Sequence, residues 1–178
     1  MSQLNKFIYI AYNKPAGVVC TTENIEGNII DAIGHTDKIM PVGRLDKDSE
    51  GLILLTNNGS IINKIIHPDF EHEKEYVVTL NLPLRNQFLK QIAAGVDIGD
   101  AHTKPCIIKA EPNTKRVFRI ILKQGLNRQI RRMCNALDYQ VIKLERIRIM
   151  NIKLGKLKTG EWRNLTEDEL RALFENIK

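Results

Sequence analysis

The chain has 178 residues, 43% hydrophobic and 27% charged, which is close to a globular average and long enough to bury a core without disulfide or metal staples. No apolar run approaches the roughly 20 residues that cross a bilayer, and nothing near the start reads as a cleavable leader, so a transmembrane protein is excluded and a cytoplasmic location is expected. Net charge is +6, yet residues 104–163 alone hold 16 Lys/Arg against 4 Asp/Glu, a bias that points to a polyanionic partner and leaves RNA, DNA and acidic membrane surfaces open.

Phe7–Tyr12 reads as a strand, ended by the Pro/Gly turn Asn13-Lys14-Pro15-Ala16-Gly17. Val18–Thr22 resumes an extended run, Asn28–Ile33 suits a short helix, and Lys38–Val42 a strand running into Gly43. Leu52–Thr56 is apolar without helical spacing and reads as a buried strand, whereas Ser60–His67 carries Ile61, Ile62, Ile65 and Ile66 at helical spacing before Pro68. Glu75–Leu80 alternates as a half-buried strand, and Pro83–Ala94 fits a helix stopped by Gly95. Cys106–Lys109 and Val117–Lys123 read as a hairpin.

Leu126–Leu137 is the clearest helix. Ile130, Met133, Cys134 and Leu137 fall on one face, and Arg128, Arg131, Arg132 and Asn135 on the other. Two short strands follow within Gln140–Lys153, the second interleaving Arg146 and Arg148 with Ile147 and Ile149. A last helix opens on the capping box Thr166-Glu167-Asp168-Glu169. Helices and strands mix without a βαβ rhythm, so the class is α+β with a largely antiparallel sheet.

Three stretches carry chemistry. Gly43-Arg44-Leu45-Asp46-Lys47-Asp48-Ser49-Glu50-Gly51 packs three carboxylates between apolar strands, where reacting groups are commonly held. Asp46 and Asp48, two apart, face opposite ways if extended, so one carboxylate beside Arg44 suits the pattern better than an acid/base pair. Gly125–Met133 sets a glycine and arginines at a helix start, which suits an anion. Lys74-Glu75-Tyr76 offers an aromatic face for a base. The three cysteines, at 20, 106 and 134, are odd in number and widely spaced, and the four histidines form no metal-ligating pair, so neither a disulfide framework nor a metal site is expected.

Together these pieces resemble the RsuA/RluB/RluE/RluF family of RNA pseudouridine synthases, and within it the RluF-like branch. Asn13-Lys14-Pro15-Ala16-Gly17 is similar to the family's opening turn, Gly43-Arg44-Leu45-Asp46 with Asp48-Ser49-Glu50-Gly51-Leu52 to its catalytic loop, Lys74-Glu75-Tyr76 to its tyrosine motif and Gln124–Met133 to its arginine motif. Lys143-Leu144-Glu145-Arg146 and Gly160-Glu161-Trp162-Arg163 fit as well.

The resemblance implies the α+β pseudouridine synthase fold, a mixed but largely antiparallel sheet with flanking helices and a central cleft. It also implies isomerisation of a uridine to pseudouridine with no cofactor and no metal. The substrate would be ribosomal RNA of the large subunit or a tRNA stem-loop; the rival is a non-catalytic RNA-binding assembly protein on the same scaffold. By the same resemblance Asp46 is the catalytic carboxylate, Arg131 its ion-pair partner and Tyr76 the residue stacking on the base. Ile130 covers the base's other side and Arg44 contacts backbone or fills the space of the extruded base. Lys74, Asn127, Arg128 and Arg132 join these in binding substrate, with Arg128, Arg132, Arg146 and Arg148 expected on phosphates of a structured RNA. RluF-like members usually carry an N-terminal S4 module. Here Met1 stands a few residues before the core, so residues 1–178 are expected to be one catalytic domain without it, as one body or two lobes on a continuous sheet, and monomeric.

Overall fold

A computed structural model describes residues 6–178; residues 1–5 of the expected 1–178 domain lie outside the described residues. Nine strands form one sheet in the order β5-β6-β4-β7-β3-β1-β9, with β2 paired to β3 and β8 to β7. The strands are β1 (Tyr9–Lys14), β2 (Met40–Val42), β3 (Glu50–Thr56), β4 (Lys74–Leu80), β5 (Ile107–Ala110), β6 (Val117–Leu122), β7 (Val141–Ile149), β8 (Ile152–Lys153) and β9 (Trp162–Asn164). The helices are α1 (Ile29–Ile33), α2 (Ile62–Ile66), α3 (Asn86–Ala94), α4 (Gln129–Ala136) and α5 (Glu167–Asn176).

Every strand pairing is antiparallel except one. β3 meets β7 in parallel over only Glu50↔Glu145 and Gly51↔Arg146, so two antiparallel halves join at a two-residue seam. The β3 edge that β7 leaves is taken up again by β2 at Leu54–Thr56. Between these pairings the Leu52 carbonyl accepts a hydrogen bond from Nε of Arg146 at 2.7 Å. Gly51 is required at the seam: its φ is +106°, and a Cβ there would stand 2.3 Å from the Arg146 carbonyl oxygen.

Three apolar clusters explain the layering. β1 and β3 are buried on both faces, so they read as continuous apolar runs rather than alternating ones. Tyr9, Ala11, Leu52 and Leu54 pack with α2 and α5 on one side, while Ile10, Tyr12, Ile53 and Leu55 pack with α1 on the other. In the second half Val78, Leu80, Phe118 and Ile120 pack under Phe88 and Ile92 of α3 and under Ile130, Met133 and Cys134 of α4. Tyr76 touches the clusters of both halves.

Several expectations shift. Val18–Thr22 forms no strand; Val19 makes a single bridge to Asn28, whose side chain caps α1. The helix expected from Pro83 begins at Asn86, because Arg85 is extended (φ −108°, ψ 146°) and so caps the helix instead of continuing it backwards. The helix expected from Leu126 begins at Gln129. Arg128 is left-handed at φ 50°, and the Gln129 side chain accepts from the Leu126 N–H at 3.0 Å, which holds the preceding residues as a loop. The Thr166–Glu169 capping box is present as expected.

Candidate active site

Asp46 opens a tight turn in which the Ser49 N–H donates to its carbonyl at 3.0 Å. Leu45 and Ser49 flank the turn and are buried, Leu45 in the cluster under α1. Burying a leucine side chain contributes roughly 1.5–3 kcal/mol, which anchors the loop on that side. From beneath, the fully buried Lys14 ammonium donates to the carbonyls of Pro15 (2.9 Å), Val18 (2.9 Å) and Lys47 (3.2 Å). The Gly17 N–H donates to the same Lys47 carbonyl at 2.7 Å. The Pro/Gly turn is thus the floor of the carboxylate loop. Burial holds the Lys14 ammonium below the ordinary lysine range.

A cleft of about 540 Å³ opens where the two sheet halves meet, within the size range of small-molecule sites. Arg44–Asp46 form one wall, and Lys74 and Tyr76 of β4 another. Lys123–Ile130 close it at the start of α4, and Arg146 lies at its inner side. Among the described residues Asp46 is the only carboxylate lining this space, against the cations Arg44, Lys74, Lys123, Arg128 and Arg146.

Arg128 ties the α4 loop to the carboxylate loop. It holds Asp48 through two bonds of 3.0 and 2.9 Å, and its Nη1 stands 3.6 Å from the Asp46 carboxylate. No other guanidinium among the described residues comes within 4.0 Å of Asp46. The Arg128 hydrogen bond holds the Asp48 carboxyl down at about 2. Arg131, expected as the Asp46 partner, instead donates Nη2 to the Asp48 carbonyl and to Oγ of Ser49, each at 3.2 Å. Its Nε is 3.6 Å from the Asp48 carboxylate.

The structure therefore brings Asp46, Tyr76, Arg44, Ile130, Asn127, Arg128 and Lys74 to one cleft, and leaves Arg131 and Arg132 outside its walls. Ile130 serves both the core and the cleft, because the cleft opens at the first turn of α4. Arg132 is bound to Asp100 and to the carbonyls of Asn127 and Ile98. Arg148 reaches Glu73 and Glu75.

Arg146 is the larger correction. Expected as a surface phosphate contact, it is 4% exposed. It shares the β7 face of Leu144 rather than a solvent face, and its Nη2 is buried without a partner. The sequence places Lys14 only within a Pro/Gly turn and does not single it out. The available signal was a lysine closing an apolar strand directly before Pro15.

The thiols offer no nucleophile, since burial pushes Cys134 up to about 12 and Cys106 to about 11. No group of three His, Cys, Asp or Glu among the described residues is placed to hold a metal, and no helix there is long and apolar enough to cross a membrane.

The chain is similar to known proteins in sequence and in fold. The model of the family described as RNA pseudouridylate synthase matches residues 8–136. A dual-specificity RNA pseudouridine synthase RluF from Salmonella typhi is 51% identical over 177 residues, covering 99% of this chain and 61% of its own length. A ribosomal large subunit pseudouridine synthase B from Bacillus subtilis (strain 168) is 34% identical over 181 residues, 96% of this chain and 74% of its own. A crystal structure of pseudouridylate synthase superposes with a TM-score of 0.85 at 31% identity, covering 94% of this chain and 74% of that one. The chain spans about six-tenths of the length of the RluF relatives it matches.

Proposed function

Because this chain belongs to the RNA pseudouridylate synthase family, we propose that it isomerises a uridine of structured RNA to pseudouridine, with Asp46 as the reacting carboxylate. The observation that carries this is the lone carboxylate among the described lining of a cleft that also holds five Lys and Arg side chains and the Tyr76 ring. The target nucleotide leaves its stack at a cost of a few kcal/mol and enters the cleft, with its ring against Tyr76 and Ile130. The C1′–N1 bond breaks and its electron pair leaves with the ring. Asp46 answers by bonding to C1′, by taking the C2′ proton, or by adding to C6 of the ring beforehand. The uracil turns and C5 bonds to C1′ as Asp46 gives up its bond to C1′ or C6, or returns the proton to C2′; the C5 proton then departs and N1 takes one up. The rearrangement is internal and uses no cofactor.

Arg128 stands 3.6 Å from the Asp46 carboxylate and faces it with a positive charge, while Arg131 positions it by bracing Asp48 and Ser49 from behind. The name of the Bacillus subtilis relative supports ribosomal RNA of the large subunit as substrate; a tRNA stem-loop is the alternative, and the cytoplasm is the proposed place of action. Residues of a single chain form the cleft described, which fits the proposed monomer.

Tritium release from C5-labelled uridine in unmodified ribosomal RNA tests the reading. Asp46→Asn is expected to abolish release while RNA affinity stays within a few-fold. Release by that variant at the wild-type rate refutes the reading.

A further inference from the structure

Arg146 lines the inner side of this cleft on a side chain only 4% exposed, and its Nη2 is buried with no hydrogen-bond partner. Its other nitrogens are fixed from the protein side: Nε donates to the Leu52 carbonyl at 2.7 Å and Nη1 lies 3.5 Å from the Arg44 carbonyl. No carboxylate among the described residues lies within 4.0 Å of it. A buried guanidinium with a free donor is costly unless something that enters the site accepts from it. Lys74 lines the same space and forms no ion pair or hydrogen bond among the described residues. Its ammonium is held below the ordinary range by burial and then by the neighbouring Arg146.

What meets these cations is decided by depth. A backbone phosphate stays with the RNA surface and meets exposed groups such as Arg44 and Lys123. The group that reaches the floor is the extruded base. Arg146 is the cross-strand neighbour of Tyr76, so a ring stacked on Tyr76 presents its edge to Arg146. Uracil carries carbonyl oxygens on that edge.

We propose that Arg146 and Lys74 form a receptor for the uracil carbonyl oxygens, which strengthens as the C1′–N1 electron pair passes into the ring and its charge spreads onto O2 and O4. A preorganised cation in a water-poor site stabilises such a developing anion without reorganisation. The inference rests on the proposed isomerase reading. It adds that the leaving group, and not only the sugar carbon, is held by the protein.

The test uses single-turnover rates on RNA carrying uridine or 5-fluorouridine at the target, followed as loss of the starting nucleoside. Fluorine at C5 withdraws electrons and makes the departing ring a better anion. Wild-type turnover of the uridine RNA is the control for the isomerase reading. Arg146→Gln is expected to slow the uridine substrate on the order of 10²- to 10³-fold, with RNA affinity and salt slope unchanged. The loss on 5-fluorouridine should be at least about tenfold smaller, the share of the missing charge stabilisation that the fluorine supplies. Because Arg146 also binds Leu52 at the seam, Lys74→Met, which removes no hydrogen bond of the described structure, is measured beside it. It carries the test alone if Arg146→Gln does not fold. Equal losses on both substrates, or a loss of RNA affinity with a shallower salt slope, overturn the proposal.

Discussion

Replacing Lys14 by Met keeps the buried stem and deletes the ammonium, and its cost follows from three carbonyls. Those of Pro15, Val18 and Lys47 lose their donor in a site closed to water. Hydrogen bonds to a charged donor contribute about 1.5–3 kcal/mol each, so three would total several kcal/mol. Burial penalises the ammonium in the opposite sense, as its depressed pKa shows. The net loss expected is about 3 kcal/mol, or roughly 6–12 °C in Tm for a chain of this size. The Lys47 carbonyl also accepts from Gly17, so the turn next to Asp46 loosens without coming free. The single-turnover rate should fall more than RNA affinity does. Thermal unfolding followed by circular dichroism gives the first number, and single-turnover assays with a binding titration give the others. A Lys14→Met variant melting within about 1 °C of wild type, with an unchanged rate, would show that the ammonium is not what holds the loop; several kcal/mol cannot vanish from three carbonyls that lose a charged donor.

Gly51→Ala is expected to give little folded protein, because its Cβ would overlap the Arg146 carbonyl at a left-handed φ; soluble yield and Tm report this, and wild-type values for both contradict the seam geometry. Asp48 has its carboxyl lowered by Arg128 to about 2, so its contribution is present above about pH 4 and is lost as pH falls through about 2. Asp48 is 51% exposed, so solvent screening keeps the effect below about 1 kcal/mol. Asp48→Asn should therefore flatten the acid limb of a Tm-against-pH curve between those values, and parallel curves for the two proteins count against the ion pair. Arg132→Ala should lower Tm by loosening the turn around Asp100 while leaving the salt slope of RNA binding unchanged; a slope reduced by about one would instead restore Arg132 as a phosphate contact.

The basic stretch shows where a linear reading stops. Of its 16 cations, Lys104, Arg119, Arg128, Arg131, Arg132, Lys143, Arg148 and Arg163 lie within 4.0 Å of carboxylates. Most of those carboxylates belong to the acidic remainder of the chain, among them Asp48, Glu50, Glu71 and Glu73. A charge bias in sequence is thus largely cancelled in space. Of the cations without such pairing, exposed Lys123 and buried Arg146 line the cleft.

Strands, helices and the charged loop were legible because each rests on local chemistry: the apolar runs of β1 and β3, the Thr166 capping box, the glycines that punctuate turns. The motifs likewise sufficed for the family and the fold class, since residue type and spacing are properties of the chain alone. Which guanidinium meets which carboxylate was not legible. Arg128 and Asp48 stand 80 positions apart, and Arg128, the left-handed residue before α4, rather than Arg131 is the guanidinium that approaches Asp46. Nor does alternation along β7 reveal that Arg146 points inward, because the space it fills exists only where a two-residue parallel seam joins two antiparallel half-sheets. Periodicity assigns a side chain to a face; only the assembled sheet decides whether that face meets water, a core or a substrate.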